Sequence, residues 1–265
     1  MRKVAKTDKI GSSRNGMMRA VRLLVAVLAA MFALARAAIA AEQVDALLVL
    51  ASDVSRSIDD AKFKLQRDGC GAAISNPRVI EAIQSGPHGL IAICFMEWSG
   101  VGAQKVVIDW TLIDGIKAAQ EFASQLAEAQ RSFADRTSIS GGIDFAMARL
   151  ERAPFQSSRR TIDVSGDGTN NSGRDVAAAR DEAVAQGVTI NGLVILTEQP
   201  LSWNVEHTNP PGGLEAYYRN NVIGGPNSFV MVAQSFNAFS QAILNKLIAE
   251  VAATEVKQRV VAGAF

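Results

Sequence analysis

Histidine and cysteine are scarce in this sequence, with two of each among 265 residues. His88 and His207 are too few for a histidine-rich zinc centre, and a pair of catalytic histidines would have to use both. Cys70 and Cys94 form no Cys-x-x-Cys motif, which argues against dithiol redox catalysis. An excess of charge is missing too. The 27 basic and 26 acidic residues leave a net charge of +1, so nothing pulls the chain toward nucleic acid or anionic lipid. There is no Gly-x-Ser-x-Gly nucleophile elbow, no internal repeat and no low-complexity linker. What remains is ordinary globular composition, 48% hydrophobic and 20% charged, at a length that suits one α/β domain.

The N-terminus reads as an export signal rather than as fold. Arg19 and Arg22 precede the apolar run LLVAVLAAMFALARAAIA, which ends in Ala38-Ile39-Ala40. A basic flank, an apolar stretch and a small-x-small end predict a signal peptide over 1–40, cleaved before Ala41. Met17 and Met18 are alternative starts. Arg36 interrupts the run and counts against a stable membrane span, and no second span follows. The expected location is periplasmic or secreted. Export permits a disulfide. Cys70 and Cys94 are open to that pairing, or to a role as two small buried apolar residues.

Beyond residue 41, strand-like and helix-like segments alternate. Val44 to Ala51 is an apolar run typical of a strand buried on both faces. Ile58 to Ile83 reads as helix, broken near Asn76-Pro77. Strands are expected at Leu90–Trp98 and Gln104–Trp110, with Gly100 and Gly102 marking the hairpin between them. Helices follow over Ile113–Gln130 and Gly141–Glu151, then a strand from Arg159. A helix over Arg174–Gln186, a strand over Val188–Leu196 and a strand over Phe229–Ala233 come next. A long amphipathic helix runs from Phe236 to about Val256. The pattern predicts an open, doubly wound, mostly parallel sheet covered on both faces, with one antiparallel edge hairpin. Residues 197–228 form a turn-rich insertion, long enough to suggest a functional surface.

Ligands of such sheets bind outside the carboxyl ends of the strands. Three segments put oxygen-bearing residues there: Asp53-Val-Ser55-Arg-Ser57, the loop DRTSISGG with Thr137, and VSGDG with Asp167. Hydroxyl and carboxylate oxygens in an open site suit a hard divalent cation such as magnesium. Ser57 also suits a helix N-cap, and Asp167 a turn; these roles are compatible with ligation.

Asp53-x-Ser55-x-Ser57, then Thr137, then Asp167-Gly168 resembles the metal-ion-dependent adhesion site of von Willebrand factor A domains. The segments DVSRSID, GPHGLIAICFMEWSG, IDVSGDGTNNSG, GVTINGLVIL and YYRNNVIGGPNSFV are similar to a bacterial family of exported, von Willebrand A-like proteins of unknown function. The resemblance implies a Rossmann-like von Willebrand A domain over 41–258, with the insertion at 197–228 and a tail over 259–265. It implies metal ligation by Asp53, Ser55, Ser57, Thr137 and Asp167, with magnesium first and manganese or calcium as alternatives. It also implies a protein partner whose carboxylate completes the coordination. Ser52, Ser138 and Ser140 depart from the pattern, the last two as rival ligands to Thr137. Asp163, inside a buried strand, needs a partner.

Tyr217, Tyr218, Arg219 and Asn221 in the insertion are candidates for partner contact, because aromatics and arginine enrich binding surfaces. The leading expectation is a non-enzymatic binding module. One alternative is an envelope scaffold with a vestigial metal site. Another is a metal-dependent hydrolase or phosphatase, disfavoured because Ser55 stands where an Asp-x-Asp phosphatase has its general acid.

Overall fold

The computed structural model describes residues 41–197, 201 and 204–252. The expected leader over 1–40, the tail over 259–265 and positions 198–200 and 202–203 of the insertion lie outside the described residues. Among the described residues no helix is long and apolar enough to cross a membrane.

The elements run β1 (Glu42–Gln43), β2 (Leu47–Asp53), α1 (Asp60–Ile74), α2 (Pro77–Gln84), β3 (Ile91–Trp98), β4 (Gln104–Ile113), α3 (Ile116–Glu128) and α4 (Ile139–Glu151). Then come β5 (Phe155–Gln156), β6 (Arg160–Gly166), α5 (Val176–Ala185), β7 (Thr189–Ile195), α6 (Val205–Thr208), α7 (Leu214–Asn221), β8 (Val230–Ala233) and α8 (Phe239–Ala252). The main sheet has the order β4-β3-β2-β6-β7-β8. All neighbours are parallel except β3 and β4, the antiparallel edge pair. Gly102, at φ 75°, takes the left-handed conformation their short turn requires.

Continuous apolar strands serve two cores at once, because successive side chains point to opposite faces. Leu48 and Leu50 of β2 face the core under α1, α2, α3 and α8. Leu47, Val49 and Ala51 face the core under α4, α5 and α7. Cys70 belongs to the first core and Cys94 to the second, so the sheet lies between them and both are free. Burial pushes Cys70 up to about 12 and Cys94 to about 11, which leaves two inert thiols.

Several boundaries differ from expectation for local reasons. Residues 42–43 pair with 155–156 in a two-residue parallel ribbon, too short to carry any periodicity. Ile113 closes β4 rather than opening a helix. Pro77 does break the first helix, with the Asn76 side chain capping α2 through Arg78 N–H. The insertion holds α6 and α7, and Gly224 bridges to Ile190.

Asp163 finds its partner under α8. Lys246 Nζ lies 2.6 Å from Asp163 Oδ2 and 2.6 Å from Glu250 Oε1. Asn191 Nδ2 donates to the same Glu250 oxygen at 2.7 Å. Lys246 is fully buried, so two carboxylates depend on one ammonium. Lys246→Ala should lower unfolding stability by about 3–5 kcal/mol, because it strands buried charge. Urea unfolding checks this, and a loss under about 1 kcal/mol contradicts it.

Candidate metal centre

The chain leaves β2 toward β3 on one side of the sheet and returns to β6 on the other. A crevice therefore opens at the carboxyl ends of these adjacent strands. Asp53 ends β2 and is fully buried. Its Oδ1 accepts the Ser55 N–H at 2.7 Å, a local turn that fixes the start of the loop. Ser55 Oγ lies 3.2 Å from Ser57 Oγ, and Ser57 Oγ donates to Asp167 Oδ1 at 2.5 Å. The cap of α1 is Asp59, which accepts from Lys62 N–H. Ser57 is thus not the helix cap, and its hydroxyl serves the crevice instead. Arg131 braces the same loop, its Nη2 donating to the carbonyls of Val54, Ser55 and Ile58 at 2.7, 3.1 and 2.7 Å.

Thr137 precedes α4 and is clamped to the loop after β6. Its N–H donates to Asn171 Oδ1 at 2.9 Å, and Asn171 N–H donates to the Thr137 carbonyl at 2.9 Å. Its Oγ1 meets His207 Nε2 at 3.2 Å. Ser57 and Thr137 line one cavity of about 290 Å³ together with Arg56, Asp135, Arg136, Asn171, Asn204 and His207. Asp53, Ser55, Ser57 and Asp167 form a connected chain that meets this cavity at Ser57.

The electrostatics of this spot are unusual. Burial pushes the Asp53 carboxyl up to about 8, and the charge of Asp167 adds to the effect. Burial also raises Asp167, against the Ser57 hydroxyl bond and the Lys62 ammonium, whose Nζ is 3.9 Å from Asp167 Oδ2. Asp53 Oδ2, Asp167 Oδ2 and the Tyr218 hydroxyl are buried without a hydrogen-bond partner among the described residues. Such groups are costly unless something satisfies them. Among the described residues no three His, Cys, Asp or Glu converge as a metal cluster, so a cation here would rely on hydroxyls beside two carboxylates. This all-oxygen set fits a hard divalent ion.

The remaining expected site residues fare differently. Tyr218 is fully buried, which removes it from any partner-facing surface. Its hydroxyl instead approaches Gly166, where a Cβ would meet it at 2.6 Å and Asp53 Oδ2 at 3.1 Å. Tyr217 is half-buried and its hydroxyl accepts Asn170 N–H at 3.1 Å. Asn221 Nδ2 donates to the Tyr217 carbonyl, and exposed Arg219 pairs with Glu215 on its own helix. Ser138 caps α4 by accepting from Gly141 N–H, and Ser140 Oγ donates to Asn170 Oδ1 at 3.4 Å. Ser52 Oγ donates to Gln66 Oε1 at 3.2 Å. His207, Arg131 and Asn171 were missed as site-builders. Arg131 and His207 reach the crevice only through tertiary contact, whereas Asn171 lies in the turn after β6, four residues beyond Asp167, where its sequence reads as a turn-former.

A family model described as "Protein of unknown function (DUF1194)" matches residues 43–255. No curated protein matches the chain. Proximal thread matrix protein 1 from the mussel byssus, solved with a zinc-occupied MIDAS motif, is 15% identical with a TM-score of 0.55, over 80% of this chain and 49% of that one. Pilus adhesin SpaC from Lactobacillus rhamnosus GG is 12% identical with a TM-score of 0.55, over 80% of this chain and 31% of that one. A von Willebrand factor type A protein from Catenulispora acidiphila is 15% identical with a TM-score of 0.48, over 78% and 43%. The chain spans about half the length of the mussel protein it matches, or less of the others. At these identities the likeness is one of fold, a mostly parallel sheet flanked by helices with one antiparallel edge pair.

The buried carboxyl has a pH signature. An unfolded Asp ionises near pH 4, whereas folded Asp53 resists ionisation up to about 8. Its contribution to stability is full below the unfolded value and is lost as pH rises through the folded one. Without divalent cations, stability should fall from about pH 4 to about pH 8. Asp53→Asn should gain on the order of 5 kcal/mol over the unaltered chain at pH 8 and nothing at pH 4. Urea unfolding in chelator reads both, and equal stabilities at pH 8 contradict the assignment.

Proposed function

Because the chain belongs to the DUF1194 family, a family of unknown function, we propose a role from its strand-end site. The chain is an exported, non-enzymatic binding module whose adhesion-type metal site engages an acidic group of a partner protein. Asp53, Ser55, Ser57, Thr137 and Asp167 hold a divalent cation, magnesium first, with manganese or calcium as alternatives. The observation that carries this reading is the pair of buried carboxylate oxygens without a hydrogen-bond partner among the described residues, Asp53 Oδ2 and Asp167 Oδ2, beside serine hydroxyls. When bound, the ion supplies a Lewis-acidic position for an external carboxylate. Neutral hydroxyl ligands leave much of its charge uncompensated.

The cavity above supports an anionic partner. Arg56 and Arg136 line it, both are exposed, and neither has an ion pair among the described residues. These guanidiniums suit bidentate contact with carboxylates, and they take over the partner-facing role first expected of Tyr218. The leader over 1–40 directs the chain to the periplasm or outside the cell.

A second reading, an envelope scaffold whose site takes no ion, has one observation in its favour. Ser57 and Lys62 already meet Asp167 from within the chain. Calorimetry separates the two. The purified chain, stripped with chelator, is titrated with magnesium, manganese and calcium, with and without excess acidic peptide. Saturable binding that Asp53→Ala abolishes supports the adhesion-type site. No binding under any of these conditions moves the scaffold to first place.

A further inference from the structure

His207 reaches the crevice from α6, inside the insertion. It is 3% exposed. A Cβ at position 168 would meet its Cε1 and Nε2 at 2.3 Å, so Gly168, right after Asp167, makes room for the ring. The main chain is anchored as well, the His207 carbonyl accepting Thr169 N–H at 2.9 Å. Nδ1 faces Thr169 Oγ1 at 3.2 Å and Asn171 Nδ2 at 3.4 Å. Nε2 faces Thr137 Oγ1 at 3.2 Å.

This network selects a tautomer. The Thr137 N–H can only donate, and Asn171 Oδ1 accepts it. That bond sets the Asn171 amide with its NH₂ toward His207. An NH₂ group only donates, so Nδ1 accepts. A neutral imidazole with an accepting Nδ1 carries its proton on Nε2. Nε2–H then donates to Thr137 Oγ1.

We infer that His207 is a positioning residue for the strand-end site, its Nε2–H locking the rotation of the Thr137 hydroxyl so that a free lone pair faces the cavity. A threonine hydroxyl has one proton and two lone pairs, and the imidazole occupies one of them. Asn171 serves both halves of the device, clamping the Thr137 backbone with its oxygen and setting the His207 tautomer with its nitrogen. The insertion is thereby tied to the ligand set. The role rests on the reading of Thr137 as a ligand; the tautomer does not.

Two measurements test it. Long-range proton–nitrogen NMR on the cation-free, unaltered chain reads the ring directly. A protonated Nε2 and a bare Nδ1 are expected, and the opposite tautomer overturns the inference. Manganese affinity is then measured by calorimetry for His207→Ala, His207→Gln, Thr137→Ala and the His207→Ala, Thr137→Ala pair. His207→Ala should weaken binding about 10-fold or more, as loss of a ligand-orienting partner does elsewhere. His207→Gln should recover most of it, because its amide also donates. In the Thr137→Ala background His207→Ala should change nothing further. Equal losses in both backgrounds, or loss of binding in His207→Gln as complete as in His207→Ala, overturn the inference while leaving the metal site standing. No manganese binding by the unaltered chain sinks the functional reading and the role of His207 with it.

Discussion

Two carboxylates, Asp53 and Asp167, are buried side by side because β2 and β6 are adjacent in the sheet. Most of the strand-end architecture answers the cost of that pairing. The Ser55 N–H and the Ser57 hydroxyl each satisfy one oxygen, and Lys62 approaches a third. The carboxyls are nonetheless pushed upward, chiefly by burial. A fold that merely needed strand ends here would have no reason to keep both acids. Divalent charge is the simplest counterweight, since two buried like charges disfavour joint ionisation.

The loop carrying the serines is held by a relay that begins on the face of the sheet that α1 covers. Glu97 on β3 is fully buried and bonded to Arg67 of α1, with Nη2 at 2.5 Å. Its other oxygen accepts Ser132 N–H at 2.9 Å. Ser132 neighbours Arg131, whose guanidinium gathers three carbonyls of the loop. A buried ion pair is weak as a source of stability, and its clearer use is to specify geometry. Here it fixes the segment that aims Ser55 and Ser57. The Lys246 cluster does comparable work under α8, tying the last helix to β6 and β7.

The sheet was readable in the sequence because buried parallel strands are written as continuous apolar runs, and the antiparallel edge because Gly100 and Gly102 leave no room for a crossover. Asp53, Ser55, Ser57 and Asp167 were readable because local strand ends bring them together and their spacing is informative. Ser57 was ambiguous between cap and crevice, and only Asp59 taking the cap resolves it. Arg131 and His207 were not readable. Their roles depend on where distant loops meet, which no periodicity encodes. Tyr218 misled for a related reason: an aromatic in a polar insertion looks like surface, yet α7 packs against β7 and buries it.

The paired carboxylates and their hydroxyl neighbours should act as one cation site. Crystals grown with manganese and measured for anomalous scattering test it most directly. A single strong peak is expected within about 2.0–2.3 Å of oxygens drawn from Asp53, Ser55, Ser57, Thr137 and Asp167. A map with no peak there, and Ser57 still hydrogen-bonded to Asp167, would contradict it.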